Sequence, residues 1–137
     1  MYQIYLLAVL VNLVGGVFLA AGFLKEKIPA LEGFEKFLSD NKAFITIASL
    51  AMVAVGILKL IIPATPSVPV VQDLVPALFA ILAGITLFYG HYKRVSDVDS
   101  DATSFMDKYI YKYRDVIGIL TALSGLVHFI LPRVVLL

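Results

Sequence analysis

The chain has 137 residues, 61% of them apolar and 15% charged, with no Cys, no Trp and a net charge of +1. So few charges cannot cover the surface of a short water-soluble fold, and the composition excludes a disordered tail, a disulfide-stapled secreted module and a soluble enzyme of ordinary surface. The near-neutral balance leaves no basic footprint for nucleic acid, so none is expected as a partner.

The first apolar run covers 4–24. A helix rises about 1.5 Å per residue, so about 20 residues cross a bilayer core of about 30 Å. Met1, Tyr2 and Gln3 carry no side-chain charge, and the run outlasts a signal-peptide core, so it is predicted to be a retained span. Asn12 lies in its middle. In the connection 25–42, Leu31, Phe34, Phe37 and Leu38 share one helical face, with Glu32, Glu35, Lys36 and Asp40 turned away. With Pro29 near its start, this segment is predicted to lie in the headgroup region, anchoring the bundle or docking a partner.

The second run, 43–62, carries Lys59 one turn before Pro63. Lys59 can snorkel to the outer surface, pair with Asp73 across the short outer connection, or contact a substrate or ion. Pro63, Pro66 and Pro69 recur every third residue and predict a stiff polyproline II spacer. It leads to Asp73 as the cap of the third run, 74–92, with Pro76 in the first turn where no donor is lost. His91 stands at the inner end of that run.

Within 93–114, Asp97, Asp99 and Asp101 resemble the opening of a calcium loop. Ala102 and Lys108 stand where such a loop needs Gly and Glu, so a solvated acidic turn is expected instead. A second interfacial helix is predicted over 105–113, capped by Ser104 with Asp107 three residues on, and running into the fourth span. Its Tyr109, Tyr111 and Tyr113 suit a membrane–water interface. The fourth run, 115–131, places His128 one turn before Pro132.

All four runs are continuous in apolar character rather than alternating, which excludes a β-barrel. The expected fold is all-α, a polytopic four-transmembrane-helix bundle forming a single domain over 1–137. Lys25, Lys27, Lys36, Lys42, Lys93, Arg94, Lys108, Lys112 and Arg114 fall in the first and third connections, against only Lys59 and Arg133 on the other side. That bias predicts a plasma (inner) membrane protein with loops 25–42 and 93–114 cytoplasmic and both termini outside.

The chain also matches itself at an offset of 69 residues: Gln3/Gln72, Ala8/Ala77, Leu13/Leu82, Gly15/Gly84, Gly56/Gly125, Ile61/Ile130 and Pro63/Pro132. Two spans per unit make this a parallel tandem repeat of 1–68 and 69–137, with chance likeness of two helical hairpins as the alternative. Gly16/Ala20, Ala80/Gly84, Gly118/Ala122 and Thr121/Gly125 are small-residue pairs that let helix backbones approach in lipid.

Reactive chemistry is sparse. Without Cys there is no thiolate, and with two separated His no zinc or di-iron set, so no metal is expected. His91 and His128 fall at opposite ends of their spans, most of a bilayer apart, so they cannot ligate one haem within a monomer. No cofactor and no catalytic residue is expected. The polar residues within or beside the spans are Asn12, Lys59, Asp73 and His128.

The stretch Gly16-Val17-Phe18-Leu19-Ala20-Ala21-Gly22-Phe23-Leu24-Lys25 resembles the first-helix pattern of DoxX-like small four-span membrane proteins: a Gly, an apolar run and a Gly-x-x-Lys close. Asn12 stands where that family often has an early basic residue. The resemblance implies a four-span architecture and roles such as accessory subunit of a redox complex, not a reaction. The expected function is therefore a non-catalytic accessory subunit or scaffold, with the bilayer, other membrane proteins or its own copies as partners. The alternative is a small oligomeric transporter or channel whose contacts are Asn12, Lys59, Asp73 and His128. A third reading, a haem- or quinone-binding anchor, lacks a visible site.

Overall fold

The computed structural model describes residues 2–62 and 73–131. The spacer expected at 63–69, together with Pro132 and Arg133, lies outside the described residues.

The described residues form helices α1 (Tyr2–Leu24), α2 (Leu31–Asp40), α3 (Lys42–Ile61), α4 (Leu74–Val95), α5 (Asp101–Tyr109) and α6 (Arg114–Ile130), with a 3-10 turn at Tyr111–Tyr113. Four stretches are long and apolar enough to cross a membrane: Gln3–Leu24, Lys42–Ile61, Leu74–Val95 and Asp101–Ile130.

Two helix boundaries differ from expectation. The cap of α5 is Ser100, not Ser104: its hydroxyl accepts from the Thr103 amide, and the Thr103 hydroxyl accepts from the Ser100 amide. Ser100 has the extended backbone a capping residue needs, whereas Ser104 already donates its amide to the Ser100 carbonyl. The expected direct passage from this helix into the fourth span is broken by the 3-10 turn. That turn swings Tyr111 inward against Tyr89, with ring centroids 5.7 Å apart.

Packing follows the small residues. α1 runs chiefly along α6, and α3 along α4. A Cβ on Gly16 would fall 2.5 Å from both the Gly118 carbonyl oxygen and the Ala122 nitrogen, and one on Gly118 would fall 2.7 Å from the Gly16 carbonyl oxygen and the Ala20 nitrogen. Two of the small-residue pairs therefore face each other, backbone against backbone. The α3–α4 seam works alike: a Cβ on Gly56 would fall 2.8 Å from the Ala77 carbonyl oxygen, and one on Gly84 would fall 2.8 Å from that of Ser49. Close contact of this kind gains dispersion energy that lipid cannot match.

Phe18, Leu19, Ile45, Met52, Leu87 and Ile117 fill the centre. Outward, Leu6, Leu10, Ile47, Leu50, Leu78, Leu120 and Phe129 stand exposed along the long helices. A soluble protein rarely leaves so continuous an apolar surface.

α2 closes one end. Leu38 is buried, and Phe34 meets Phe18 at 5.0 Å, but Phe37 stays exposed and makes an edge contact with Phe44. Glu35, expected to turn away, instead accepts from Lys25 at 2.7 Å. That hydrogen bond and the carboxylate charge hold the Lys25 ammonium above its ordinary value of 10.5. A raised lysine stabilises fully below the unfolded value and loses its contribution only as pH climbs through the folded one, so this tie is intact at neutral pH.

Gly16→Val forces the α1–α6 backbones apart. The detergent-solubilised variant is expected to lose about 3 kcal/mol or more of stability by thermal unfolding, at the upper end of overpacking costs. Gly33→Ala, where an added Cβ meets nothing within 4 Å inside α2, should instead gain about 0.5–1 kcal/mol.

Candidate functional site

The ends of α3 and α6 and the starts of α1 and α4 meet at one end of the bundle, and the ionisable side chains there turn inward. Lys59 lies in the last turn of α3, His128 in the last turn of α6, and Asp73 at the N-cap of α4. The charges of Asp73 and Lys59 suit their helix ends, since a carboxylate is favoured at an N-terminus and a cation at a C-terminus.

Asp73 is the hub. Its Oδ2 lies 2.8 Å from Lys59 Nζ, and its Oδ1 lies 3.3 Å from His128 Nε2. Lys59 and Asp73 side chains are each 2% exposed and His128 is 0% exposed. Of the roles open to Lys59, pairing with Asp73 is the one the structure adopts, and snorkelling is excluded because the amine does not reach the surface. Asp73 does occupy the cap position, but its side chain makes no capping hydrogen bond. The expected cap is corrected on this point: the buried amine of Lys59 attracts the carboxylate more strongly than a neutral amide does.

Tyr5 completes the cluster, and the sequence reading missed it. Its hydroxyl donates to the His128 carbonyl at 2.8 Å, and its ring lies 4.8 Å from the imidazole, tilted by 52°. Lys59 Nζ sits 5.7 Å from the centre of the same ring. The available signal was positional: Tyr5 is a polar-tipped aromatic one turn into a span, at the end where Lys59 and His128 lie.

Asn12 stands deeper and apart from the ions. Its Nδ2 donates to Ala8 and Pro76 carbonyls, both at 3.1 Å, so it ties α1 to α4. Its Oδ1 and the Ser124 hydroxyl are buried without a hydrogen-bond partner among the described residues. Thus Lys59, Asp73 and His128 converge while Asn12 supports the wall beside them. The arrangement supplies electrostatic cohesion between α3, α4 and α6, with an imidazole beside a carboxylate that can hold a proton. Among the described residues, no group of three or more His, Cys, Asp or Glu is placed to hold a metal ion.

Breaking one member strands another. Asp73→Ala should cost about 3–5 kcal/mol by leaving the Lys59 charge buried and uncompensated. The double variant Lys59→Met with Asp73→Leu should recover most of that loss. A double-mutant cycle from thermal unfolding in detergent measures both, and additivity of the two single changes would contradict the pairing.

Among known proteins, no curated protein and no solved structure matches this chain. A family model does, over residues 1–128, and its family is one of unknown function. The chain belongs to that family of unknown function.

Proposed function

We propose that the chain is a multi-pass protein of the plasma (inner) membrane, crossing it four times, and that it serves as a non-catalytic accessory subunit or scaffold of a membrane complex. Its partners on this reading are the bilayer, other membrane proteins and further copies of itself. It carries no cofactor of its own. The first-helix likeness to DoxX-like proteins agrees with that role.

The observation that carries the reading is the distribution of polarity. Four lipid-length helices expose Leu, Ile and Phe outward, while Lys59, Asp73 and His128 are drawn inside and tied to one another. Hydrocarbon as solvent rewards that inversion. An internally paired cluster that joins helix ends fits a part whose task is to hold shape.

The proposed orientation places loops 25–42 and 93–114 in the cytoplasm and both termini outside. In its support, Arg94 at the end of α4 lies 3.5 Å from Ser39 of α2, so both basic connections gather at one end. The tandem repeat of 1–68 and 69–137 belongs to the same reading. Gly56 packs on Ala77 and Ile81, and its counterpart Gly125 packs on Asn12. Asn12 is the counterpart of Ile81 at the same offset of 69 residues. The α3–α4 and α6–α1 seams thus use equivalent positions, as a two-fold axis along the bilayer normal requires.

A second reading is favoured by the cluster itself: a small oligomeric transporter or channel, with Lys59, Asp73 and His128 as contacts for an ion or small solute and Asn12 beside them. Flux into proteoliposomes that disappears in Lys59→Leu supports it. Co-purification with a larger partner at fixed stoichiometry, in mild detergent, supports the subunit.

The absence of Cys allows clean topology mapping. Lys36→Cys and Lys108→Cys should both react with a membrane-impermeant maleimide only when the cytoplasmic face is accessible. Labelling from opposite faces would overturn the four-crossing topology.

A further inference from the structure

At the end of the bundle opposite the ionic cluster, a cleft of about 120 Å³ opens between α1, α2, α4 and the start of α6. Arg94, Arg114, Tyr111, Thr86, Ser39 and Glu35 line it, above an apolar floor that includes Leu19 and Leu87. We propose that this cleft binds a phosphate group, supplied either by an anionic lipid headgroup or by free phosphate. The proposal rests on the membrane reading only for the lipid source.

The guanidinium groups carry the argument. Each has five N–H donors in a planar fork suited to phosphate. Arg94 donates to the Gly90 carbonyl at 3.3 Å and, weakly, to Ser39 Oγ at 3.5 Å. Arg114 donates to Tyr111 Oη at 2.6 Å. The remaining donors have no protein acceptor among the described residues. Arg94 has no ion pair among the described residues, and Arg114 has one loose pair, with Asp115 at 3.8 Å and half-exposed.

Two lysines of this end are engaged by carboxylates. Lys25 holds Glu35, which lines the same cleft, at 2.7 Å, and Lys93 holds Asp107 at 2.7 Å. The cleft's one carboxylate is therefore already neutralised by Lys25, and the arginines confer a positive balance. Arg114 also opens α6, where the helix dipole disfavours a cation and favours an anion.

The shape is prepared as well. Tyr111 reaches the cleft because Gly90 has no side chain: a Cβ there would lie 2.8 Å from the Tyr111 ring. The ring also carries Arg114, whose guanidinium carbon is 5.1 Å from its centre. Stacking and the Oη hydrogen bond fix the fork before any ligand arrives. A basic pocket between helices on the cytoplasmic side is a recurrent setting for anionic headgroups.

The test uses the full chain in a neutral detergent, titrated separately with short-chain phosphatidylglycerol, short-chain phosphatidylcholine and inorganic phosphate. Thermal unfolding and tyrosine fluorescence report binding. Saturable stabilisation by phosphatidylglycerol or by inorganic phosphate, but not by phosphatidylcholine, is the expected result. The more effective of the two anions identifies the source. Arg94→Gln and Arg114→Gln should each weaken binding on the order of tenfold, the scale of a charge-assisted hydrogen bond.

Should those variants fold poorly, Gly22→Leu decides the matter. A Cβ at Gly22 would lie 3.5 Å from Arg114 Nη2, so a leucine fills the cleft while both charges remain, and binding should fall comparably. Lys112→Gln, at the same end, should leave it unchanged. Equal responses to the two lipids with none to phosphate, or titrations unaltered in the arginine and Gly22 variants, overturn the proposal. A failed membrane reading would show separately, as a chain that stays dispersed without detergent.

Discussion

The Asp73 carboxylate, drawn in from the surface between Lys59 and His128, is the constraint on which the rest of the bundle depends. Removing a carboxylate and an ammonium from water costs several kcal/mol per ion, and their attraction recovers this only with close geometry. The structure supplies that geometry by bringing the end of α3 and the start of α4 together at 2.8 Å. Helix dipoles assist, because the carboxylate lies at the positive end of α4 and Lys59 at the negative end of α3. Such a pair adds little net stability relative to packed leucines. Its consequence is specificity: sliding α3 along α4 by a turn leaves Lys59 and Asp73 buried without their counter-ions.

Contacts between backbones make that specificity possible. Gly16 and Gly118 bring α1 and α6 together, while Gly56 and Gly84 do the same for α3 and α4. If these positions carried larger residues, the helices would separate and water would enter between Asp73, Lys59 and His128. Electrostatics at one end and small-residue packing along the seams are therefore one device, and each sets the distance the other needs. Tyr5 reinforces it, because its hydroxyl occupies the carbonyl of His128 near the end of α6, where helical partners run out.

The spans were legible because a hydrocarbon-length apolar run is a one-dimensional signal; α3 and α4 begin within one residue of the positions read from it. The convergence of Lys59 and Asp73 was legible as one of several roles because a short outer connection brings the two helix ends near. Which role prevails depends on burial, which a linear pattern does not encode for a residue near a span end. Tyr5 was illegible for a related reason: among so many apolar neighbours, its function lies only in what α6 places opposite. Ser100 was missed as a cap because Ser104 offers the same chemistry four residues later, and only the extended backbone at Ser100 separates them.

The two ends of the bundle are chemically unlike, and the difference follows from how their charges are matched. At one end Asp73 answers both Lys59 and His128, so the cluster is closed on itself. At the other, Glu35 pairs with Lys25 and Asp107 with Lys93, and the arginines have neutral acceptors and, for Arg114, a loose half-exposed pair with Asp115 at 3.8 Å. Lysine is a point charge that a single carboxylate satisfies, whereas an arginine fork retains donors after one or two bonds. The arginine forks therefore keep unused donors at Arg94 and Arg114, beside a cleft. The bundle thus has one end whose ionic groups are tied to one another and one whose arginine donors remain unused beside a cleft.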